Sequence, residues 1–224
     1  MLISWALPCH RRVDDLRRVF PDVIAAAEAS PPVEVVIVDY ANPDGALDEF
    51  DVPGVRIVRY RGRDHYHMAH ARNLSIRACS GDYVVITSTD IAPRPAFFPA
   101  VRGIIAETGA TWLRPSTFQY VGVVVVARAE LLAAGGYDER FEFYGGEDRD
   151  LTYRLCRRNP PEAMATYPAA DLLTMIPTPN DQRLLHYRTD MTKHEMMERA
   201  AVIRSENMAA GVLVANEGQE WGAS

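Results

Sequence analysis

Three carboxylates follow a pair of glycines in the segment FYGGEDRDL, residues 143–151. Gly145 and Gly146 allow a tight turn and let a ligand approach the backbone closely. Glu147 and Asp148 then fall in the first turn of a predicted helix, a position that carboxylates also favour for purely structural reasons. Together with the aromatic residues of the preceding GGYDERFEF, the acidic pair indicates a lined cleft. There a carboxylate can accept a proton from a reacting hydroxyl.

A second acidic group stands at the end of a predicted buried strand, in YVVITSTD at residues 83–90. The apolar run 83–86 leads through Ser88 to Asp90, and Pro93 then breaks the pattern. Proteins with α/β sheets tend to place their chemistry at the carboxyl ends of strands. A lone carboxylate at that position can bind a divalent cation only if other groups supply further oxygen ligands.

The segment RDHYHMAH suggests a different function. His65, His67 and His70 form an H-x-H-x-x-H pattern, a spacing found in some metal-binding sites. A metal-dependent hydrolase of this kind needs further ligands from later strands. The histidines available elsewhere are His10, His186 and His194. Three arginines between residues 59 and 63 make the same loop basic, which suits a phosphate better than Zn²⁺. A solvated basic turn is the plain alternative.

Secondary-structure elements that would position these groups alternate as β-α-β-β-α-β over the first ninety residues. Hydrophobic periodicity predicts strands at 2–7, 33–39, 55–60 and 83–86 and helices at 13–29 and 68–79. This is the pattern of a nucleotide-binding α/β sheet. The second half is mixed, with predicted helices at 95–108, 130–136, 147–158 and 192–210 and strand candidates at 111–118, 120–127, 172–176 and 183–187. We expect the segment GQEWGAS, residues 218–224, to be frayed.

Residues 1–190 resemble glycosyltransferases of the GT-A fold, chiefly the family-2 type and the related β-1,4-galactosyltransferases. Three motifs carry the resemblance in the family's order: VVIVDYANPDG, AHARNLSIRACSGDYVVITSTD and GGYDERFEFYGGEDRDLTYRL. It implies an α/β fold in which helices flank a Rossmann-like nucleotide-binding sheet, with a smaller acceptor-side half and a C-terminal helix. The expected organisation is one domain, with a donor half at 1–92, an acceptor and catalytic half at 93–190, and a helical extension at 191–224.

The resemblance also implies roles for individual residues. Asp39 matches the residue that hydrogen-bonds the nucleotide base, and an Asx turn into NPDG is the alternative. Arg72 would lie near the donor diphosphate, since guanidinium groups match phosphate oxygens, and a surface helix charge is the alternative. Asp148 matches the general base of inverting members, and Glu147 the carboxylate that orients the acceptor. His67, or the neighbouring His65, would contact phosphate or sugar.

The family's metal-binding D-x-D motif aligns with S-T-D, so that Ser88 replaces the first Asp and Asp90 matches the second. One firm oxygen ligand remains, and Mn²⁺ or Mg²⁺ would rely on donor phosphates and water for the rest. Related members add a late histidine, and His186 lies in the matching region, where a partly buried strand histidine is the alternative. Metal binding that is weak, dependent on donor or absent stays open.

These features predict an inverting glycosyltransferase that moves a sugar from a nucleoside-diphosphate donor, UDP by resemblance, to a hydroxyl of a glycan, protein or small molecule. Asp148 is the expected base, and Asp90 and His186 the expected ligands of a divalent cation. The missing first Asp motivates one alternative, a nucleotide-sugar-binding module that has lost catalysis. The other alternative is the metal-dependent hydrolase built on the histidines of residues 65–70.

Composition excludes some broad classes of function. The formal net charge of −6 over 224 residues argues against a generic nucleic-acid binder. Three scattered cysteines without CxxC spacing fit a reducing compartment. The apolar start is too short for a signal or a membrane span, and no later run is long enough, so we expect a cytoplasmic protein. The Met-rich helix at 192–210 would pack on the domain by default, and a homodimer contact is the second possibility.

Overall fold

The structure, a computed structural model, describes residues 1–177, 184, 187 and 189–223. Its strands are β1 (Ile3–Cys9), β2 (Val33–Tyr40), β3 (Val55–Tyr60), β4 (Tyr83–Ile86), β5 (Ile91–Pro93), β6 (Trp112–Pro115), β7 (Val124–Ala127), β8 (Met164–Tyr167) and β9 (Leu173–Met175). Its helices are α1 (Val13–Ala29), α2 (Met68–Ala78), α3 (Phe97–Thr108), α4 (Arg128–Ala133), α5 (Glu147–Arg158), α6 (Ala169–Leu172) and α7 (Lys193–Ala209). Short 3-10 turns lie at Asp48–Phe50, Phe118–Tyr120 and Pro161–Ala163.

Within the described residues, seven strands form one sheet in the order β3-β2-β1-β4-β7-β6-β8. The first four are parallel, β7 is antiparallel to both β4 and β6, and β8 runs parallel to β6. Strands β5 and β9 pair separately. The chain moves from β1 toward β2 on one side and reaches β4 on the other. The carboxyl ends of β1 and β4 therefore border the crevice in which such sheets bind ligands.

Hydrophobic layers cover both faces of the sheet, which explains why β1 is buried along its whole length. Its odd-numbered residues, such as Trp5, pack with α1 and α3. The even-numbered Ala6 belongs to the opposite layer, with α2, α4 and α5. The last helix, α7, joins this second layer through Ala200, as its default packing predicted. None of the helices in the described ranges is both long and apolar enough to cross a membrane.

The predicted alternation of elements is confirmed, with small differences at element ends. We expected Pro8 to close the first strand, but β1 continues to Cys9. The reason is that β1 pairs with β4 only as far as Ala6, so the missing N–H of Pro8 faces an edge where β4 has already ended. The strand candidate 172–176 forms β9. The candidate 183–187 falls largely outside the described residues.

The expectation that the segment GQEWGAS is frayed is wrong for residues 221–223. Trp221 is 9% exposed and belongs to the core layer that contains α2, and the Arg77 guanidinium lies 5.3 Å from its ring centroid. The backbone N–H of Gly222 donates to Glu139 Oε1 at 2.9 Å. His70 Nε2 donates to the Ala223 carbonyl at 3.1 Å. A single buried tryptophan thus anchors this segment against α2.

Candidate active site

A cavity of about 590 Å³ opens at the carboxyl ends of β1 and β4. Five of the residues singled out from the sequence line it: Arg72, Ser88, Asp90, Glu147 and Asp148. The remaining walls come from the β1–α1 loop, the segment 118–123, the aromatic residues Tyr66, Tyr144 and Tyr187, and α7. The fold therefore brings two of the three sequence motifs, the second and the third, to one site.

The acidic pair sits where the glycine turn enters α5. Gly145 and Gly146 have φ values of 97° and 89°, a left-handed conformation that glycine adopts without strain. A Cβ on Gly146 would also lie 2.8 Å from the Cβ of Ala200 on α7. The turn therefore requires glycine for two reasons, and it delivers Glu147 and Asp148 as the first residues of the helix.

Arg72 of α2 joins both carboxylates although it lies far from them in sequence. Its Nη1 donates to Asp148 Oδ1 and lies 3.3 Å from Glu147 Oε1. The guanidinium is buried and lies 5.0 Å from the Tyr137 ring centroid. The Tyr137 hydroxyl donates to Asp148 Oδ1 at 3.1 Å. The guanidinium and the phenol thus hold the Asp148 carboxylate in place.

The two carboxylates of the pair occupy different environments. Glu147 is 4% exposed, and its Oε2 has no hydrogen-bond partner among the residues that the structure describes. Burial, followed by the neighbouring Asp148 charge, raises the pKa of Glu147 from 4.5 to about 7. The Asp148 side chain is 19% exposed. Near neutral pH the site thus combines a buried carboxyl that holds a proton readily with a reachable carboxylate.

Asp90 and Ser88 also line the cavity, just after the end of β4. The Ser88 hydroxyl donates to Asp90 Oδ1. Arg12, at the start of α1, places Nη2 3.2 Å from Asp90 Oδ2 and also pairs with Asp15 at 2.8 Å. The sequence interpretation missed Arg12. Its position just after β1, beside the predicted crevice, was the available signal.

The oxygen ligands on the cavity wall suit Mn²⁺ or Mg²⁺ in kind, because both cations prefer oxygen. They are few, since Asp90 has two carboxylate oxygens and Ser88 one hydroxyl oxygen. The part of the chain described here holds no group of three or more His, Cys, Asp or Glu side chains that could bind a metal. The expected ligand His186 lies outside the described residues. Asp90 and Ser88 therefore fit a divalent cation only within a shell that a bound diphosphate completes.

Asp39 and His67 do not reach the cavity. Asp39 is 1% exposed, and its carboxylate accepts from Asn42 Nδ2 at 2.8 Å and Arg61 Nη2 at 2.9 Å. A shallow depression lined by Asn42 lies beside it. His67 is buried, donates from Nε2 to the Glu139 carbonyl at 3.0 Å, and caps α2 by accepting the His70 N–H at Nδ1. The structure thus gives both residues local structural partners.

The three histidines of residues 65–70 do not converge. His65 is half-buried, with Nδ1 3.1 Å from Asp64 Oδ1. His67 uses both ring nitrogens as described above. His70 has Nδ1 3.0 Å from the Tyr40 hydroxyl, and its Nε2 contacts the backbone of Ala223. Because the nitrogens of His67 and His70 are already taken by protein groups, this geometry does not favour the hydrolase.

Three further cations line the cavity and were not singled out from the sequence: Arg149, Lys193 and Arg204. The Arg149 guanidinium lies 5.9 Å from the Phe118 ring centroid, and Lys193 Nζ lies 5.1 Å from that of Tyr144. Both distances are typical of cation–π contacts. The absence of a charge motif around them explains why the sequence did not reveal them.

The sheet order, the crevice and the acidic pair define an α/β protein of the nucleotide-binding type. The chain belongs to Glycosyl transferase family 2, whose profile matches residues 4–159, more than half of its length. A comparison with curated proteins gave no match. The fold is accordingly the GT-A fold. The particular likeness of the GGED segment to β-1,4-galactosyltransferases stays a prediction.

Solved structures of S. aureus TarS share this fold. TarS 1-349 in complex with UDP-GlcNAc has a TM-score of 0.69 at 11% identity, over 93% of this chain and 66% of that one. The complex with UDP gives 0.64 at 12% identity, over 93% and 72%. A further structure of TarS 1-349 gives 0.61 at 12% identity, over 77% and 60%. The chain thus spans about two thirds or less of the length of two of these structures, and the likeness concerns the fold alone.

Proposed function

We propose that the protein is an inverting glycosyltransferase that moves a sugar from a nucleoside-diphosphate donor, a UDP-sugar, to an acceptor hydroxyl. One observation carries the proposal: the cavity at the β1–β4 crevice contains a carboxylate pair with one reachable and one buried member. Family membership supports the reaction class. The UDP-GlcNAc and UDP complexes of TarS, which has the same fold, support the choice of donor.

Asp148 is the general base in this mechanism. The acceptor hydroxyl gives its proton to the Asp148 carboxylate as its oxygen bonds to the anomeric carbon of the donor sugar. The bond from that carbon to the diphosphate breaks, and the electron pair leaves with the nucleoside diphosphate. Attack from the face opposite the leaving group inverts the configuration. Arg72 and Tyr137 are positioning residues because they fix the carboxylate from behind.

Glu147 orients the acceptor beside the base. Because its pKa is raised to about 7, Glu147 carries a proton over much of the acidic to neutral range. A protonated carboxyl can donate a hydrogen bond to an acceptor oxygen without repelling Asp148. The neighbouring Gly122 keeps this corner open, since a Cβ there would lie 3.0 Å from Asp148 Oδ2.

The donor binds along the crevice between β1 and β4. We assign the diphosphate to the side of Asp90, Ser88 and Arg72. We assign the nucleotide base of the donor to the vicinity of Asp39. Nearby, Arg11 and Ala41 have positive φ values of 54° and 51°, a strained conformation that is often found at ligand sites. A divalent cation held by Asp90 beside Ser88 would neutralise charge on the leaving diphosphate. The roles of His67 and His186 stay predictions.

The test is turnover with a panel of UDP-, GDP- and dTDP-sugars, with and without Mn²⁺, in which donor hydrolysis and transfer are both measured. We expect activity with UDP-sugars. Asp148→Asn should lower it by about 100-fold or more while UDP affinity stays within about threefold. Glu142→Gln, in the same acidic segment but outside the cavity, is the matched control. Full activity in Asp148→Asn would exclude it as the base.

Binding of UDP without turnover of any donor would instead support the non-catalytic sugar-binding module that Ser88 suggests.

Two further expectations, on location and on oligomeric state, belong to this proposal. A cytoplasmic location rests on the three free cysteines. A homodimer through α7 rests on its exposed Met197, Val202 and Met208, and light scattering of the purified protein tests it.

A further inference from the structure

The cations at the acceptor end of the cavity are not balanced by acidic partners. Arg12 and Arg72 both contact carboxylates on the cavity wall. Arg149, Lys193 and Arg204 line the same cavity, but no carboxylate of the described residues lies within 4 Å of any of them. In a chain with a net charge of −6, three such cations facing one cavity form a local positive potential.

Two helices that border the acidic pair, α5 and α7, supply these cations. Arg149 directly follows Asp148 in α5 and reaches toward Phe118, the start of the loop whose Gly122 borders Asp148. Lys193 and Arg204 approach from α7, which packs against the glycine turn through Ala200. Ser88, Asp90 and Arg12, by contrast, lie at the ends of β4 and β1. The three cations therefore belong to the α5 and α7 part of the cavity wall, and Asp90 and Arg12 to the part at the strand ends.

Aromatic surface accompanies these charges. Phe118 is 74% exposed, although its ring flanks the cavity. Tyr144 lies under Lys193 at the same end. An exposed aromatic face is suited to the apolar face of a sugar ring, while guanidinium and ammonium groups bind phosphate or carboxylate oxygens. Aromatic and cationic groups together match a ligand that is both carbohydrate-like and anionic.

We propose that the acceptor carries an oxyanion, a phosphate or a carboxylate, close to the hydroxyl that is glycosylated, and that Arg149, Lys193 and Arg204 bind it. This inference rests on the proposed function, since it specifies the acceptor of that site. The diphosphate of the donor is the competing source of the same chemistry, and the experiment separates the two.

The probes are two matched series: glucose, glucuronic acid and glucose 6-phosphate, and glycerol, glyceric acid and glycerol 3-phosphate. Each is titrated by calorimetry into protein saturated with UDP and Mn²⁺. We expect an anionic member of at least one series to bind about tenfold or more tightly than its neutral parent, and added salt to reduce the difference. The phosphate and carboxylate arms identify which oxyanion is preferred.

The double variant Arg149→Gln/Arg204→Gln should lose most of this preference and keep its UDP affinity. Arg157→Gln/Arg199→Gln removes two exposed arginines from the same helices outside the cavity and should change neither. Equal binding of anionic and neutral probes, or binding of none, overturns the inference. A loss of UDP affinity in the Arg149/Arg204 variant also overturns it and assigns the cations to the donor. If the unmodified protein binds no UDP at all, the proposed function fails as well.

Discussion

The two walls of the cavity differ in how their charges are neutralised. The paired wall, in which every cation contacts a carboxylate, consists of Arg12, Arg72, Asp90, Glu147 and Asp148. The cationic wall consists of Arg149, Lys193 and Arg204, which line the cavity without such partners among the described residues. The paired wall lies mostly buried, whereas Arg149 is exposed and Lys193 and Arg204 are half-buried.

The two walls therefore have different electrostatic roles, one in catalysis and one in ligand binding. Charges in the paired wall are held in place before any ligand arrives, which is what a catalytic group needs in order to act without rearrangement. Charges in the cationic wall are hydrated until a ligand displaces the water. Substitutions in the paired wall should therefore affect folding strongly, and substitutions in the cationic wall should affect mainly binding.

Arg72→Met should have the largest effect on stability. It removes the cation between two largely buried carboxylates, so the free energy of unfolding should fall by about 3–5 kcal/mol, as for other broken buried ion pairs. Urea titration measures the change. Arg72→Lys retains the charge and should recover part of the loss. A stability close to that of the unmodified protein in Arg72→Met would show that the paired wall is not held by this arginine.

The pH dependence of stability should reveal Glu147. Its folded-state pKa of about 7 lies above its ordinary value of 4.5, so the folded protein holds a proton that the unfolded chain has released. The stabilising effect of this proton is fully present below about pH 4.5 and is lost as the pH rises to about 7, on the order of 3 kcal/mol in all. In Glu147→Gln the free energy of unfolding should depend less on pH between about 4.5 and 7, as measured by urea titrations at several pH values in this range. An unchanged slope would contradict the buried, protonated carboxyl.

Arg12→Gln should have an intermediate effect. Asp90 would lose a charged hydrogen-bond partner while remaining buried, and we expect a loss of about 1–2 kcal/mol in unfolding free energy. Because the guanidinium occupies Asp90 Oδ2, its removal should also strengthen Mn²⁺ binding in the presence of UDP, which paramagnetic resonance detects. The control is Arg17→Gln, which breaks exposed ion pairs made by α1. Weaker Mn²⁺ binding in Arg12→Gln would show that the two cations do not compete.

Arg204→Gln should have the smallest effect on stability, within about 0.5 kcal/mol, because it breaks no ion pair of the described residues. Thermal unfolding of this variant beside Arg12→Gln compares the two walls directly. A loss as large as that of Arg12→Gln would remove the distinction between them.

Much of the fold was accessible from sequence because its signals are local. Apolar runs and helical periodicity predicted β1 to β4, α1 and α2, and the motif order predicted that Arg72, Asp90 and Asp148 share one site. The pairing of these groups was not predictable in the same way. Arg72 and Asp148 are 76 residues apart, and only the packing of α2 against α5 determines which nitrogen meets which oxygen.

The expected donor contacts of Asp39 and His67 stay predictions, because the sequence does not show which groups surround them. Asp39 and His67 are polar residues at the right ends of elements, but nearby backbone and side-chain groups satisfy them, and no pattern in the sequence reports such partners. Arg149, Lys193 and Arg204 come from two helices, α5 and α7, that are far apart in sequence and meet at the glycine turn and through the Asn207–Asp150 hydrogen bond. Their joint effect depends on tertiary structure alone.

The anchoring of Trp221 and Gly222 against α2 has a consequence for biosynthesis. Residues near the end of the described chain are needed to complete the surroundings of a helix translated about 150 residues earlier, since His70 and Ala223 differ by 153 positions. While the ribosome is still adding the intervening residues, the helix that carries Arg72 lacks these contacts, although the parallel strands preceding it can already pair. The surroundings of Arg72 should therefore become fixed only after residues 221–223 have left the ribosome.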